Sequence, residues 1–295
     1  MVMQYAVPAV PAVPTVPSPI STFAGFNVLL EGEAGTGKTY SIGTLVDSGL
    51  KVSYLALESG IESLMGYWAD AGKPIPPNLS WHVLSPAQAS LDEMITTATN
   101  INTMTFQALC LIKDPNRNLH NQFIEFLKIL NNFTDQRTGE ILGPVNKWSN
   151  DRVLVIDGLT GIGLAAMSLV VGGKPTRDEK DYGMAMEQIE RILRMLTDGC
   201  KCHFVLIAHV EKELDQVLGG THITMATLGR KLAPKIPPMF SDVIFTYREG
   251  KNFYWSTERN NVVTKIRNLP LNDKIDAKFG PIVEKWTARK KESEK

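Results

Sequence analysis

Residues 32–39 have the types and the spacing of a loop that binds phosphate groups. They read GEAGTGKT and complete the pattern GxxxxGKT. In this pattern the glycines let backbone N–H groups approach phosphate oxygens, the lysine reaches the β- and γ-phosphates, and the threonine hydroxyl binds Mg²⁺. An apolar segment, FNVLLE, precedes the pattern and a helical segment follows it, which is the context that the motif requires. The sequence therefore predicts a site for ATP and Mg²⁺.

The predicted nucleotide-binding residues cover the whole loop and the first residue beyond it. They are Gly32, Glu33, Ala34, Gly35, Thr36, Gly37, Lys38, Thr39 and Tyr40. Lys38 is also a predicted catalytic residue, because it is the fixed positive side chain beside the β- and γ-phosphates. Thr39 is one predicted Mg²⁺ residue. Asp157 is the other, because it follows the buried apolar run VLVI and supplies the carboxylate that the metal needs in addition to the threonine hydroxyl.

The catalytic base must come from a third place in the sequence. The residue after Asp157 is Gly158, so the glutamate that many P-loop ATPases place there to polarise water is missing. The apolar run VSYLAL ends at Glu58, and ligand-facing residues collect at the carboxyl ends of parallel strands. Glu58 is therefore the predicted base. A glutamate at a strand end also suits the cap of a following helix, and this alternative stays open.

Short apolar runs alternate with helical stretches along most of the chain. The runs that read as strands are FNVLLEG, KVSYLALE, WHVLS, DRVLVIDG, CHFVLIAH, SDVIFTYR and NFYWSTE. Helices are predicted over residues 38–46, 86–100, 119–131, 159–171 and 181–197. Strands that alternate with helices pair in parallel through right-handed crossovers. The predicted fold class is α/β, with a mostly parallel, doubly wound sheet flanked by helices and an antiparallel C-terminal extension.

The composition is that of an ordinary globular protein, with 43% hydrophobic and 21% charged residues in a chain of 295. No segment inside the fold is long and apolar enough to span a bilayer, so no membrane partner is expected. Three cysteines imply no disulfide framework, and no signal peptide opens the chain, so a cytoplasmic location is predicted. Residues 201–295 hold 17 Lys+Arg against 11 Asp+Glu, an excess that favours a polyanionic partner.

The phosphate-binding loop, the glutamate of LALES, and the strands VLVIDG and HFVLIAH occur in the order typical of a RecA-type ATPase. With the run GRKLAPKIPPMFSDVIF, the chain resembles more closely the phage-encoded RecA-like ATP-binding proteins of single-strand annealing and recombination. The resemblance covers about residues 24–265 and implies a RecA-like P-loop NTPase core in a host cytoplasm. Residues 100–150 match no element of that core.

Three parts of the chain follow from these patterns. Residues 1–22, in which residues 6–19 repeat Val-Pro, are predicted to form an extended arm, because proline fixes the backbone and donates no hydrogen bond. Residues 23–268 are the predicted RecA-like ATPase domain. Residues 269–295 are a predicted C-terminal extension with a basic, charged tail.

The resemblance also implies roles for residues near the end of the core. His209, at the end of HFVLIAH, is the expected sensor of the γ-phosphate. RecA-like proteins direct two loops toward nucleic acid, and their counterparts are residues 172–180 and 210–228. The predicted nucleic-acid contacts are Lys174, Arg177, Lys180 and Lys212. RecA-like sites lie between subunits, so a cation of the neighbouring subunit is expected at the γ-phosphate; the predicted residues are Arg230, Lys231 and Lys235.

Three functions fit these residues. The leading one is an ATPase that oligomerises on single-stranded DNA, is stimulated by it, and acts in phage recombination, annealing or replication. The second is a ring helicase or a helicase loader. The third is a nucleotide-gated scaffold with slow or no hydrolysis, whose Pro-rich arm recruits a partner. Other copies of the chain and a single-strand-binding or other replication protein are the expected protein partners.

Overall fold

The structure is a computed structural model that describes residues 24–58, 60–85, 90–111, 120–172, 177–214 and 219–293. The strands are β1 Asn27–Gly32, β2 Lys51–Ala56, β3 Leu79–Val83, β4 Phe133–Thr134, β5 Ile141–Gly143, β6 Arg152–Asp157, β7 His203–Leu214, β8 Thr221–Met225, β9 Asp242–Glu249, β10 Asn252–Ser256 and β11 Ile275–Asp276. The helices are α1 Lys38–Asp47, α2 Ile61–Asp70, α3 Leu91–Thr103, α4 Phe106–Cys110, α5 Gln122–Asn131, α6 Leu159–Val171, α7 Glu179–Asp198 and α8 Gly280–Ser293.

The central sheet has the strand order β11-β10-β9-β1-β7-β6-β2-β3, with β8 paired to β7. The neighbours from β9 to β3 in this order run parallel to one another, whereas β10 and β11 are antiparallel. The predicted fold class, a mostly parallel α/β sheet with an antiparallel C-terminal extension, is confirmed. The carboxyl ends of β1, β2, β6 and β7 therefore meet at one edge of the sheet, where a doubly wound fold binds its ligands.

Helices cover both faces of the sheet because its strands are apolar on both sides. In β6, Leu154 and Ile156 pack against the layer of α5, α6 and α7, while Val153 and Val155 pack against the layer of α1, α2 and α8. All four side chains have no exposed surface. Such a run without polar alternation is typical of a parallel strand buried on both faces.

The second predicted loop, residues 210–228, differs from the prediction. β7 continues past the sheet to Leu214 and pairs antiparallel with β8, so that Lys212 lies opposite Ile223. Ile223 and Met225 of β8 are buried, and this burial stabilises strands where the resemblance to RecA-like proteins implied a loop. This antiparallel pair, β7 beyond His209 with β8, is called the β7–β8 hairpin below.

Two helices that the sequence did not predict complete the layer beside α1. They are α2, which buries Leu64 and Trp68, and α8, which buries Ile282 and Trp286. The predicted arm, residues 1–22, lies outside the described residues. Within the described residues, no helix is long and apolar enough to cross a membrane.

Candidate nucleotide-binding site

The predicted phosphate-binding loop connects β1 to α1. Gly35 and Gly37 have φ angles of 73° and 80°, a left-handed conformation that glycine adopts without the steric cost of a Cβ atom. At Gly37 a Cβ atom would also lie 2.4 Å from the ring of Phe253. The loop therefore needs glycine at this position for two reasons, and Phe253 of β10 rests directly on its backbone.

Lys38 is buried inside this loop, with 5% of its surface exposed. Its Nζ donates hydrogen bonds to the carbonyl oxygens of Gly32 at 2.7 Å and Glu33 at 2.8 Å. Burial lowers the pKa of Lys38 to about 8, and the nearby carboxylates of Asp157, Glu58 and Glu33 oppose that shift. An ammonium group has three donors, so the same Nζ can also donate to a phosphate oxygen.

Asp157 and Thr39 meet beside the loop, as the Mg²⁺ prediction requires. Thr39 Oγ1 donates to Asp157 Oδ2 at 2.6 Å, and the hydroxyl of Tyr54 donates to the same oxygen. Asp157 is buried, and burial raises its pKa despite the two hydrogen bonds. A cluster of hydroxyl and carboxylate oxygens is the donor set that Mg²⁺ prefers, so the residues present fit this metal.

Tyr54 is a member of the site that the sequence did not reveal. It lies in β2, and β2 pairs with β6 so that Ala56 is opposite Asp157. Burial raises the pKa of the Tyr54 hydroxyl well above its ordinary value, and so does the negative charge of Asp157. Tyr54 therefore stays a hydrogen-bond donor. The one signal in the sequence was the hydroxyl group of Tyr54, because the residues that follow it in KVSYLAL are all apolar.

Glu58 lies across the cavity from Lys38, just beyond the end of β2. Its Oε1 accepts a hydrogen bond from the backbone N–H of Gly161 at 2.9 Å, and its Oε2 lies 3.4 Å from Nε2 of His209. The hydrogen bond with His209 is the largest influence that lowers the pKa of Glu58, against the effect of burial. The carboxyl group is therefore ionised at neutral pH and held at both oxygens.

Gly158 explains why no glutamate follows Asp157. Its φ angle is 126°, and a Cβ atom there would stand 2.7 Å from Cγ of Glu58. Glu58 thus occupies the space that a side chain at position 158 would need. The carboxylate of Glu58, which follows β2, therefore lies where a glutamate after Asp157 would otherwise project.

These side chains line a cavity of about 540 Å³. The described residues that line it are Ala34, Gly35, Thr36, Gly37, Lys38, Thr39, Tyr40, Glu58, Gly60, Ser63, Gly66, Asp70, Asp157, Ile207, His209 and Phe253. Tyr40 and Phe253 form an aromatic wall with ring centroids 5.7 Å apart. The structure therefore brings together the predicted loop, Mg²⁺ residues, base and sensor, and adds an aromatic wall.

The described cations that were predicted to reach the γ-phosphate of a neighbouring subunit or to contact nucleic acid are not among the residues that line this cavity. Arg230 pairs with Glu213 at 3.4 Å and Lys235 with Glu190 at 2.9 Å, while Lys231 is exposed. Arg177 and Lys180 are exposed at the start of α7. Lys174 lies outside the described residues. Lys212 lies in the β7–β8 hairpin and pairs with Glu33 of the phosphate-binding loop at 2.5 Å.

Comparison with known proteins identifies the family of the chain. The sequence profile of the AAA domain family AAA_24 matches residues 24–268. The chain belongs to this family. The matched residues of this AAA domain include β1 to β10 and every predicted residue of the site, and they support an ATPase with a RecA-like P-loop core. ATPases of this kind bind a nucleotide, usually with Mg²⁺.

Solved structures were compared with this AAA domain as well. The RadB recombinase has 12% sequence identity, with 85% of this chain and 86% of that chain covered and a TM-score of 0.39. A protein of Pyrococcus horikoshii OT3 has 9% identity, with 86% and 94% covered and a TM-score of 0.36. The ATPase EscN of the enteropathogenic E. coli type III secretion system has 15% identity, with 81% and 49% covered and a TM-score of 0.38. No curated protein matches the chain.

Proposed function

We propose that the protein binds ATP with Mg²⁺ in this cavity and hydrolyses it. The observation that carries the proposal is the ionised carboxylate of Glu58, held by Gly161 and His209 in the same cavity as Lys38 and Asp157. A carboxylate in this place can accept a proton from the attacking water. A cavity that only held a nucleotide would have no need of such a group.

The proposed roles follow from the contacts of each side chain. Lys38 binds the β- and γ-phosphates. The backbone N–H groups of the loop between Gly32 and Thr39 bind the phosphate oxygens. Thr39 and Asp157 would hold Mg²⁺, which supplies positive charge to the phosphate oxygens when it is bound. Tyr54 donates to Asp157 and so fixes the orientation of that carboxylate.

Glu58 and His209 form the proposed catalytic and sensing pair. Glu58 accepts the proton of the water, and His209 holds Oε2 of Glu58 in place. His209 is also the point at which β7 leaves the sheet toward the β7–β8 hairpin, since it lies opposite Gly32 in the register of β1 and β7. A change at the γ-phosphate is therefore transmitted to the hairpin through one strand.

The aromatic wall supports a place for the base of the nucleotide. The rings of Tyr40 and Phe253 offer flat apolar surfaces against which a purine stacks. The carboxylate of Asp70 lies in the lining of the same cavity and accepts a hydrogen bond from an exocyclic amino group. Both features fit ATP.

We further propose that the active form is a homo-oligomer with composite ATP sites. What supports this is the absence of arginine from the described residues that line the cavity, where Lys38 is the one Lys or Arg side chain. A transferring γ-phosphoryl group is stabilised by a second cation. Arg230, Lys231 and Lys235 of a neighbouring copy are the proposed sources.

Single-stranded DNA is the proposed polymer partner, in phage recombination, annealing or replication. The support is the exposed charge of Arg177 and Lys180 at the start of α7, together with the excess of cations in residues 201–295. Lys174 belongs to the same predicted loop. Side chains of this kind bind the phosphate backbone, and such contacts weaken as salt rises. Lys212 is the fourth proposed contact.

The test of this proposal is the rate of ATP hydrolysis with and without single-stranded DNA over a range of salt concentrations. We expect stimulation that fades as salt rises. Hydrolysis that DNA never changes would remove DNA from the proposal. A mixture of Glu58→Gln protein with a variant that has Arg230, Lys231 and Lys235 changed to alanine tests the composite site. We expect the mixture to regain activity that neither protein has alone.

A further inference from the structure

The second residue of the phosphate-binding loop is acidic, although a triphosphate that binds to this loop is itself negatively charged. This residue is Glu33. Its backbone oxygen accepts a hydrogen bond from Lys38 Nζ at 2.8 Å, so Glu33 lies directly beside the group that binds the β- and γ-phosphates. Its carboxylate Oε1 lies 2.5 Å from Nζ of Lys212. One cation from the β7–β8 hairpin therefore pairs with the acidic side chain of the loop.

The position of Glu33 in the loop brings its negative charge near the phosphate site. The backbone contact with Lys38 fixes this residue beside the phosphate-binding group, and the carboxylate is carried on the same residue. A nucleoside triphosphate adds further negative charge, and like charges at close range disfavour binding.

We propose that Lys212 neutralises the carboxylate of Glu33 and thereby permits a nucleoside triphosphate to bind at the loop. Lys212 is a positioning residue in this account, because it acts through Glu33. The inference rests on the proposed nucleotide site. The β7–β8 hairpin would then have two roles. Besides the proposed contact with DNA, it would supply the positive charge that neutralises Glu33 in the phosphate-binding loop.

The fold holds Lys212 in this position. The backbone of β7 pairs with β8 along the hairpin, with Lys212 opposite Ile223, and Ile223 is buried. The side chain can therefore reach the loop from a rigid strand. The side chains of Lys212 and Glu33 are 61% and 51% exposed, and ion pairs with such exposure contribute little to folding. Substitutions at this pair therefore test binding without unfolding the chain.

The experiment measures the affinity of the full chain for a non-hydrolysable ATP analogue with Mg²⁺ by isothermal titration calorimetry. At low salt we expect Lys212→Ala to weaken binding about tenfold and Lys212→Arg to preserve it, since one charge at close range has this magnitude of effect. Glu33→Gln should bind at least as tightly as the wild type. The double variant Glu33→Gln with Lys212→Ala should bind within about twofold of Glu33→Gln, because no charge is left to neutralise.

A matched control is offered by the ion pair of Lys51 and Asp151, which are 2.8 Å apart and 56% and 54% exposed. This pair joins the starts of β2 and β6, at the other edge of the sheet from the cavity, and Lys51→Ala should leave the affinity unchanged. The turnover assay adds a second readout. Lys212→Ala should raise KM and leave kcat within about threefold of the wild type, and the rise in KM should shrink at high salt.

Three results would overturn the inference. Unchanged affinity of Lys212→Ala at low salt means that Glu33 does not oppose the nucleotide. Weak binding by the double variant, equal to that of Lys212→Ala, means that Lys212 contacts the nucleotide directly. Failure of the wild type to bind the analogue would overturn the proposed nucleotide site, and the inference with it, and this outcome is distinct from the first two.

Discussion

Two buried aspartates lie at opposite edges of the same sheet and differ in how their oxygens are satisfied. Asp242 begins β9, and three N–H groups donate to it at 2.6 to 2.7 Å: the backbone groups of Arg267 and Asn268 and the side-chain amide of Asn268. Asp157 ends β6, and two hydroxyl groups donate to one of its oxygens. Asp242 has no exposed surface, whereas Asp157 opens onto the cavity.

The difference distinguishes a structural carboxylate from one that we propose to bind Mg²⁺. The partners of Asp242 belong to a connection far away in sequence, so the aspartate fixes residues 267 and 268 against the start of β9. The partners of Asp157 are hydroxyl groups that can turn toward another acceptor. Burial raises the pKa of Asp157, which means that the fold itself disfavours the charged form. A bound cation would supply what the fold lacks at this position.

The first prediction compares these two aspartates by substitution. Asp242→Ala should lower the free energy of unfolding by about 3 kcal/mol or more, because three N–H donors, two of them buried, lose their acceptor. Asp157→Asn should leave this free energy unchanged or raise it, because it removes a buried charge and keeps the shape. Urea unfolding followed by circular dichroism measures both values. Equal losses in the two variants would mean that both aspartates are structural.

The second prediction concerns Lys38, at the edge of the sheet where the parallel strands have their carboxyl ends. Lys38→Ala should weaken the binding of a non-hydrolysable ATP analogue by about 100-fold, because the positive charge beside the β- and γ-phosphates and its charge-assisted hydrogen bond to a phosphate oxygen are lost. Calorimetric titration gives the affinity, and the Lys51→Ala variant is the control for loss of a lysine elsewhere. Affinity equal to that of the wild type would show that the loop does not bind phosphate groups in this protein.

The third prediction concerns His203, at the opposite edge of the sheet, where the parallel strands begin. His203 stacks on Phe26 with ring centroids 3.9 Å apart, and its Nδ1 accepts the N–H of Phe26 at 3.0 Å. Burial lowers the pKa of His203 from 6.5 to about 4. The unfolded chain therefore binds the proton at a higher pH than the folded one, and stability falls as the pH drops from 6.5 toward 4.

The loss from this histidine should reach about 3 kcal/mol near pH 4. The measurement is the free energy of unfolding at several pH values for the wild type and for His203→Asn. The variant should be less stable at pH 7 and should lose less stability on acidification. Parallel pH profiles for the two proteins would show that another group controls the acid response.

Sequence reasoning was strongest where local pattern decides the structure. The predicted helix over residues 159–171 has the bounds of α6, and β1 and β6 begin within one residue of their predicted starts. In these segments apolar runs are long and glycine or aspartate marks the ends. The hairpin was missed because residues 210–228 were assigned as a loop from the resemblance to RecA-like proteins, whereas the extension of β7 depends on its pairing with β8.

The cavity itself was predicted in part. Residues of the loop, Asp157 and Glu58 carry their signal in short motifs or at strand ends. Tyr54 and Phe253 reach the site through strand order, which brings β2 beside β6 and the start of β10 over the loop. Helix α8 was missed because its sequence, ending in ARKKES, is rich in charge, and only Ile282 and Trp286 of its described residues are buried.

The most direct test of the central claim is the release of phosphate from Mg-ATP by the wild type and by Glu58→Gln, measured beside the affinity of each protein for a non-hydrolysable analogue. Glutamine has the shape of glutamate but cannot accept the proton of the water. We predict that the variant binds the analogue about as tightly as the wild type and releases phosphate about 100-fold more slowly. Turnover of the variant equal to that of the wild type would contradict the account, because Glu58 would then have no part in hydrolysis.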